Sequence, residues 1–145
     1  MRTHRFVREL EHDRIVNAIK AAEAKTSGQI RVFLQRGKFE EDALERAQKK
    51  FGQLGMEKTA ERNAVLIFVA PRAQKFAVIG DEGVHQKCGE KFWQDLVARM
   101  REHFLREDFT QALVEGIEST AELLAKHFPR TGPSPNELPD EIVEE

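Results

Sequence analysis

The run Ala64-Val-Leu-Ile-Phe-Val-Ala70 has no polar member, and it restricts the possible folds of this chain more than any other feature. A strand with one face in water alternates polar and apolar residues, so a uniformly apolar strand is covered on both faces. Flanking Asn63 and Pro71 favour strand over helix. The expectation is a central strand with helices on each side. After the turn-forming Pro71-Arg-Ala-Gln74, a second apolar run from Phe76 to Ile79 predicts a strand over 75–80. So short a connection permits only an antiparallel hairpin.

The rest of the chain supplies the helices. Ile15, Ala18, Ile19 and Ala22 form one stripe at helical spacing. Thr26-Ser-Gly28 breaks that helix, and residues 29–35 alternate Ile30, Val32 and Leu34 with polar neighbours as a strand does, Phe33 adding apolar weight to the second face. A helix from about Glu40 places Ala43, Leu44, Ala47, Phe51 and Leu54 in register, with Gly55 positioned for a left-handed terminus. Because that helix separates strands 29–35 and 64–70, the two strands pair in parallel. Phe92, Trp93, Leu96, Val97, Met100 and Phe104 mark another helix. Phe109, Leu113, Gly116, Ile117, Thr120, Leu124 and Phe128 mark the last, with Asp108 placed to cap it. The predicted fold is a three-layer α/β/α sandwich around a small mixed sheet, in one domain over residues 1–128. Residues 129–145 hold four of the five prolines and five acids, and are predicted to be a disordered tail.

The net charge of −2 divides into −5 on residues 131–145 and +3 on the remainder, with basic and acidic side chains interleaved. This is not the clustered cationic surface that nucleic acid requires. No stretch approaches the roughly 20 apolar residues needed to span a bilayer, and residues 1–10 lack the apolar core of a secretory signal. Cys88 is the single cysteine, so an internal disulfide is excluded. A cytoplasmic monomer without a membrane anchor is expected.

The predicted topology brings three segments to one edge of the sheet: residues 23–28, 61–63 and 80–83. They offer the carboxylates of Glu23, Glu61, Asp81 and Glu82, the Asn63 amide, and the Thr26 and Ser27 hydroxyls. Hard divalent cations favour such oxygen donors, so a metal site is expected there, Ca2+ first and Mg2+ as the alternative, with Asp81 its foremost ligand. The competing reading is an ordinary helix start, with Asp81 capping backbone N–H groups. His85 and Cys88 share a helical spacing but lack companions for a zinc set, and Cys88 reads as a small core residue. No G-x-S-x-G, Walker A or G-x-G-x-x-G motif is present. Asp81 and Glu82, adjacent in sequence, do not make an acid/base pair across a reacting bond. The opposite edge collects Arg36, Lys38, Arg72 and Lys75, a set suited to an anion or an acidic partner.

Five separated blocks carry a family resemblance. Glu23-Ala-Lys-Thr-Ser-Gly-Gln-Ile-Arg-Val32, Ala47 with Phe51 and Leu54-Gly-Met56, Arg62-Asn-Ala-Val-Leu-Ile-Phe-Val-Ala70, Phe76-Ala-Val-Ile-Gly-Asp81, and Phe92-Trp93 together resemble the TPM domain family over about residues 10–128. The resemblance implies an α/β/α sandwich and divalent-cation binding, often of calcium. It also implies a phosphatase activity known for a plant member. Mapped onto this sequence, the family's acidic positions fall at Asp81, Glu23 and the 61–63 loop. Two departures stand out: Gln29 replaces an acid of the first block, and Ala64 follows Asn63 where the family has glycine. The functional expectation is a divalent-cation and partner-binding module. A metal-dependent acid phosphatase and a purely structural packing domain are the alternatives.

Overall fold

The computed structural model describes residues 11–71, 73–130 and 142–144. In chain order the elements are α1 (His12–Glu23), β1 (Gln29–Leu34), α2 (Ala43–Gln53), a 3-10 turn (Met56–Lys58), β2 (Ala64–Ala70) and β3 (Lys75–Gly80). They continue with α3 (Glu82–Cys88), α4 (Glu90–Leu105), α5 (Phe109–His127) and β4 (Val143–Glu144). The sheet order is β3-β2-β1-β4. β1 runs parallel to β2, with Gln29 opposite Ala64 and Leu34 opposite Val69. β3 runs antiparallel, with Val65 opposite Gly80 and Ala70 opposite Lys75.

The apolar run is central, as its composition requires. All seven residues of β2 are buried, and the two-residue period of a strand divides them between two cores. Val65, Ile67 and Val69 join Ile30, Val32 and Leu34 against α1, α4 and α5. Ala64, Leu66, Phe68 and Ala70 join Phe33 against Ala43, Ala47 and Phe51 of α2 and Met56. Phe33 and Phe68, paired across the parallel strands, stack at 5.8 Å. Each fully buried side chain of this size contributes about 1.5–3 kcal/mol. Gly116 lets α4 and α5 approach closely, since a Cβ there would lie 2.9 Å from Met100.

Several expectations change. The buried stripe of α2 is Ala43, Ala47, Lys50 and Phe51, whereas Leu44 is 51% exposed. Leu44 lies about 100° around the helix from Ala43, off the face that meets the sheet. Lys50 is enclosed instead, its ammonium 5.3 Å from the Phe33 ring centroid. Gly55 takes the expected left-handed conformation, φ 68°. Asp108 occupies the N-cap position of α5 but its side chain makes no capping hydrogen bond. The α4–α5 turn is closed by the backbone, Asp108 N–H donating to the His103 carbonyl at 2.9 Å.

Contacts with the fold are described on both sides of residues 131–141. Pro129 bridges Thr26, and Arg130 N–H donates to the Lys25 carbonyl at 3.3 Å. Val143 and Glu144 pair in parallel with Phe33 and Leu34. The unpaired backbone of β1 satisfies its hydrogen bonds there, and Ile142 packs on the larger core. The expectation of disorder for residues 131–141 lies outside the described residues.

Candidate functional site

The hairpin register sets the geometry. Because Val65 faces Gly80, the residues before β2 meet the residues after β3. Asp81 caps α3, its Oδ1 accepting from Glu82 N–H at 2.7 Å. Both its oxygens also accept from Arg62, Nε to Oδ2 at 2.7 Å and Nη2 to Oδ1 at 2.9 Å. This is the bidentate fork that a guanidinium makes with a carboxylate. Asp81 is buried while Arg62 is half exposed, and Arg62 Nη1 also reaches exposed Glu82 at 3.5 Å. The hydrogen bond to Asp81 pushes the Arg62 pKa above its already high value, so the guanidinium keeps its charge throughout.

Arg62 has φ 53°, a left-handed conformation that costs a non-glycine residue on the order of 1 kcal/mol. Its carbonyl accepts from Gly83 N–H at 2.9 Å, which fixes the turn against the start of α3. Gly83 is required for that approach. A Cβ at this position would lie 2.5 Å from the Glu61 carbonyl oxygen and 2.7 Å from that of Arg62.

The third segment joins through Glu61. Its Oε2 accepts from Ser27 Oγ at 2.9 Å and from Asn63 Nδ2 at 3.1 Å, and Asn63 Nδ2 also donates to Ser27 Oγ at 3.2 Å. Asn63 is 1% exposed and its Oδ1 is buried without a hydrogen-bond partner. A carboxylate only accepts, so the amide nitrogen must face Glu61 and the oxygen must face away. Thr26 turns inward: its hydroxyl donates to the Phe128 carbonyl and accepts from Gly28 N–H at 3.0 Å. Glu23 is buried at the end of α1, where its carbonyl accepts from Arg130 at 2.9 Å.

Ser27, Glu61 and Asn63 therefore form one group, and Arg62, Asp81 and Glu82 form the next, linked through consecutive residues 61–63. Among the described residues no three of His, Cys, Asp and Glu are grouped closely enough to hold a metal ion with the side chains in these positions. Arg62 stands where a cation would pair with Asp81. Sequence reasoning placed Arg62 in the loop without giving it a role. The signal was present in the register, which sets an arginine beside the carboxylate that follows the partner strand.

Elsewhere, Cys88 packs on the larger core, and burial pushes its thiol pKa up, which disfavours a nucleophilic thiolate. His85 is exposed and its ring lies 6.5 Å from that of Trp93. At the other end of the sheet Arg36, Lys38 and Lys75 are exposed, while Arg72 lies outside the described residues. Among the described residues no helix is long and apolar enough to cross a membrane.

Comparison with known proteins agrees with the architecture. No curated protein matches the chain. The NMR structure of the BA42 protein from the psychrophilic bacterium Bizionia argentinensis superposes with a TM-score of 0.86 at 36% identity. The match covers 94% of this chain and 96% of that one. The family described as "TPM domain" matches residues 3–123. With the sandwich, the paired loops and the five sequence blocks all in place, the chain belongs to the TPM domain family.

Proposed function

We propose that this TPM domain is a binding module that takes up a divalent cation, Ca2+ in preference to Mg2+, and engages a protein partner. The cation edge is built from Ser27, Glu61, Asn63, Asp81 and Glu82. One observation carries the reading: Glu61 Oε2 draws Ser27 and Asn63, from two chain segments, to 2.9 and 3.1 Å beside the Asp81–Arg62 pair. Asn63 positions Glu61 and Ser27 through its amide N–H, and the oxygens of Ser27, Glu61, Asp81 and Glu82 are donors that suit a hard cation rather than zinc. Glu23, placed in the expected ligand set, is buried at the end of α1, where its carbonyl accepts from Arg130.

The fit has one condition. Arg62 engages both oxygens of Asp81, so an arriving ion competes with the guanidinium. Arg62 is half exposed and free to swing into solvent, whereas Asp81 is held by the α3 backbone. Exposed Glu61 and Glu82 flank it and supply further carboxylates.

Calorimetric titration with Ca2+ and with Mg2+ tests this. Wild type is expected to bind Ca2+ more tightly than Mg2+. Glu61→Gln and Asp81→Asn are expected to abolish the heat, and Arg62→Met to tighten binding by removing the competing charge. Absence of Ca2+ binding in both wild type and Arg62→Met, or binding indifferent to Glu61→Gln, would overturn the site.

A further inference from the structure

A groove of about 530 Å3 opens at the end of the sheet away from the cation edge. Ala43 at the start of α2 forms one wall, Phe104 and Leu105 at the end of α4 form the other, and Val69 and Phe76 lie between. Leu44 and Leu105 are the large hydrophobic side chains left exposed among the described residues, at 51% and 78%. Leu105 belongs to the groove lining, whereas Leu44 points off the α2 face that carries Ala43. Single exposed leucines scattered over a surface need no explanation. One set in an apolar groove with Val69, Phe76 and Phe104 marks a recognition surface.

The charges select the partner. Exposed Lys75 and Arg101 outnumber Glu107 along the lining, and exposed Arg36 and Lys38 follow β1 at the same end of the sheet. We infer that the groove docks an acidic peptide segment bearing bulky apolar side chains, which fill the space between Ala43 and Leu105 while its carboxylates meet Lys75 and Arg101. A second copy of this chain is the poorer occupant. A two-fold contact would set the same patch against itself, cation against cation. This deepens the partner half of the proposed function and is independent of the cation half, because the groove and the Asp81 edge lie at opposite ends of β2.

The probe is a short fluorescein-labelled peptide with a Leu-Phe-Val-Leu centre between pairs of glutamates, and its control has lysines in place of the glutamates. Anisotropy titrations are run on the full chain in EDTA, so that failure of the cation site leaves the result unaffected. The acidic peptide is expected to bind, and Leu105→Asp to weaken it by about tenfold or more. The double charge reversal Lys75→Glu with Arg101→Glu is expected to transfer preference to the lysine peptide. Amide chemical-shift changes are expected at residues 74–76 and 101–107. Lys75, Arg101 and Leu105 are exposed, and circular dichroism checks that each variant is folded. Equal binding of both peptides, shifts confined to other surfaces, or no binding would overturn the proposal. So would a concentration-dependent dimer in sedimentation that Leu105→Asp dissolves, which would identify the second copy as the occupant.

Discussion

The two ends of β2 solve different problems with the same strand. At its start, around Asn63, polar groups from three segments satisfy one another at 2.7–3.2 Å, and a glycine lets backbone pack directly on backbone. At its end, around Val69, apolar side chains line an open groove and Leu105 stays in water. Hydrogen bonds are directional, so the first end fixes atoms in place. Apolar burial is not, so the second end tolerates varied partners and gains from area. The difference teaches that the first end is a positioning site and the second a docking site, and each can be altered without the other.

The largest predicted effect falls at the polar end. Gly83→Ala drives a Cβ into two carbonyl oxygens and is expected to cost on the order of 3 kcal/mol, read as a lower urea midpoint with unchanged slope. A midpoint equal to wild type would show that the loop and α3 are not tightly docked. Asp81→Ala removes the α3 cap and is expected to cost about 1 kcal/mol in the same assay. Leu105→Asp at the other end is expected to stay within about 0.5 kcal/mol of wild type. A large loss there would mean that Leu105 supports the fold, and would erase the contrast.

The smallest effect concerns pH. Hydrogen bonding from Lys49 at 2.7 Å holds the Glu41 pKa below the usual carboxylate range. A carboxylate whose folded pKa is depressed adds stability above its unfolded pKa and loses it as pH falls through the folded value. Glu41→Gln is therefore expected to lower thermal stability slightly at neutral pH, with the difference from wild type vanishing as pH falls through the folded value. A difference that persists undiminished in acid would contradict this assignment. Cys88 offers a kinetic counterpart: its raised pKa predicts alkylation by iodoacetamide more slowly than a free thiol at neutral pH, measured by mass spectrometry.

How much of this was legible beforehand follows from the kind of interaction involved. The unbroken apolar run 64–70 demanded cover on both faces, and the short 71–74 connection demanded a hairpin. Those two facts placed β1, β2 and β3 and brought residues 27, 61–63 and 81–82 together. Pairing within that edge was not legible, because it depends on the left-handed turn at Arg62, which no composition rule places on an arginine. Leu44 was assigned to the buried stripe because helical periodicity does not say where the covered face stops. Leu105 follows Phe104, one step off the α4 stripe, and an apolar residue just outside such a stripe was the available sign of the groove. The tail was read from its prolines and acids, and Ile142-Val143 was overlooked because two residues carry no periodicity.

The short pairing of Val143 and Glu144 with the end of β1 has a bearing on solubility. A sheet whose flank offers bare N–H and C=O groups invites strands from other molecules. Losing the final few residues would uncover such a template beside Phe33 and Leu34, so a chain trimmed there by a protease is expected to aggregate sooner than the intact one.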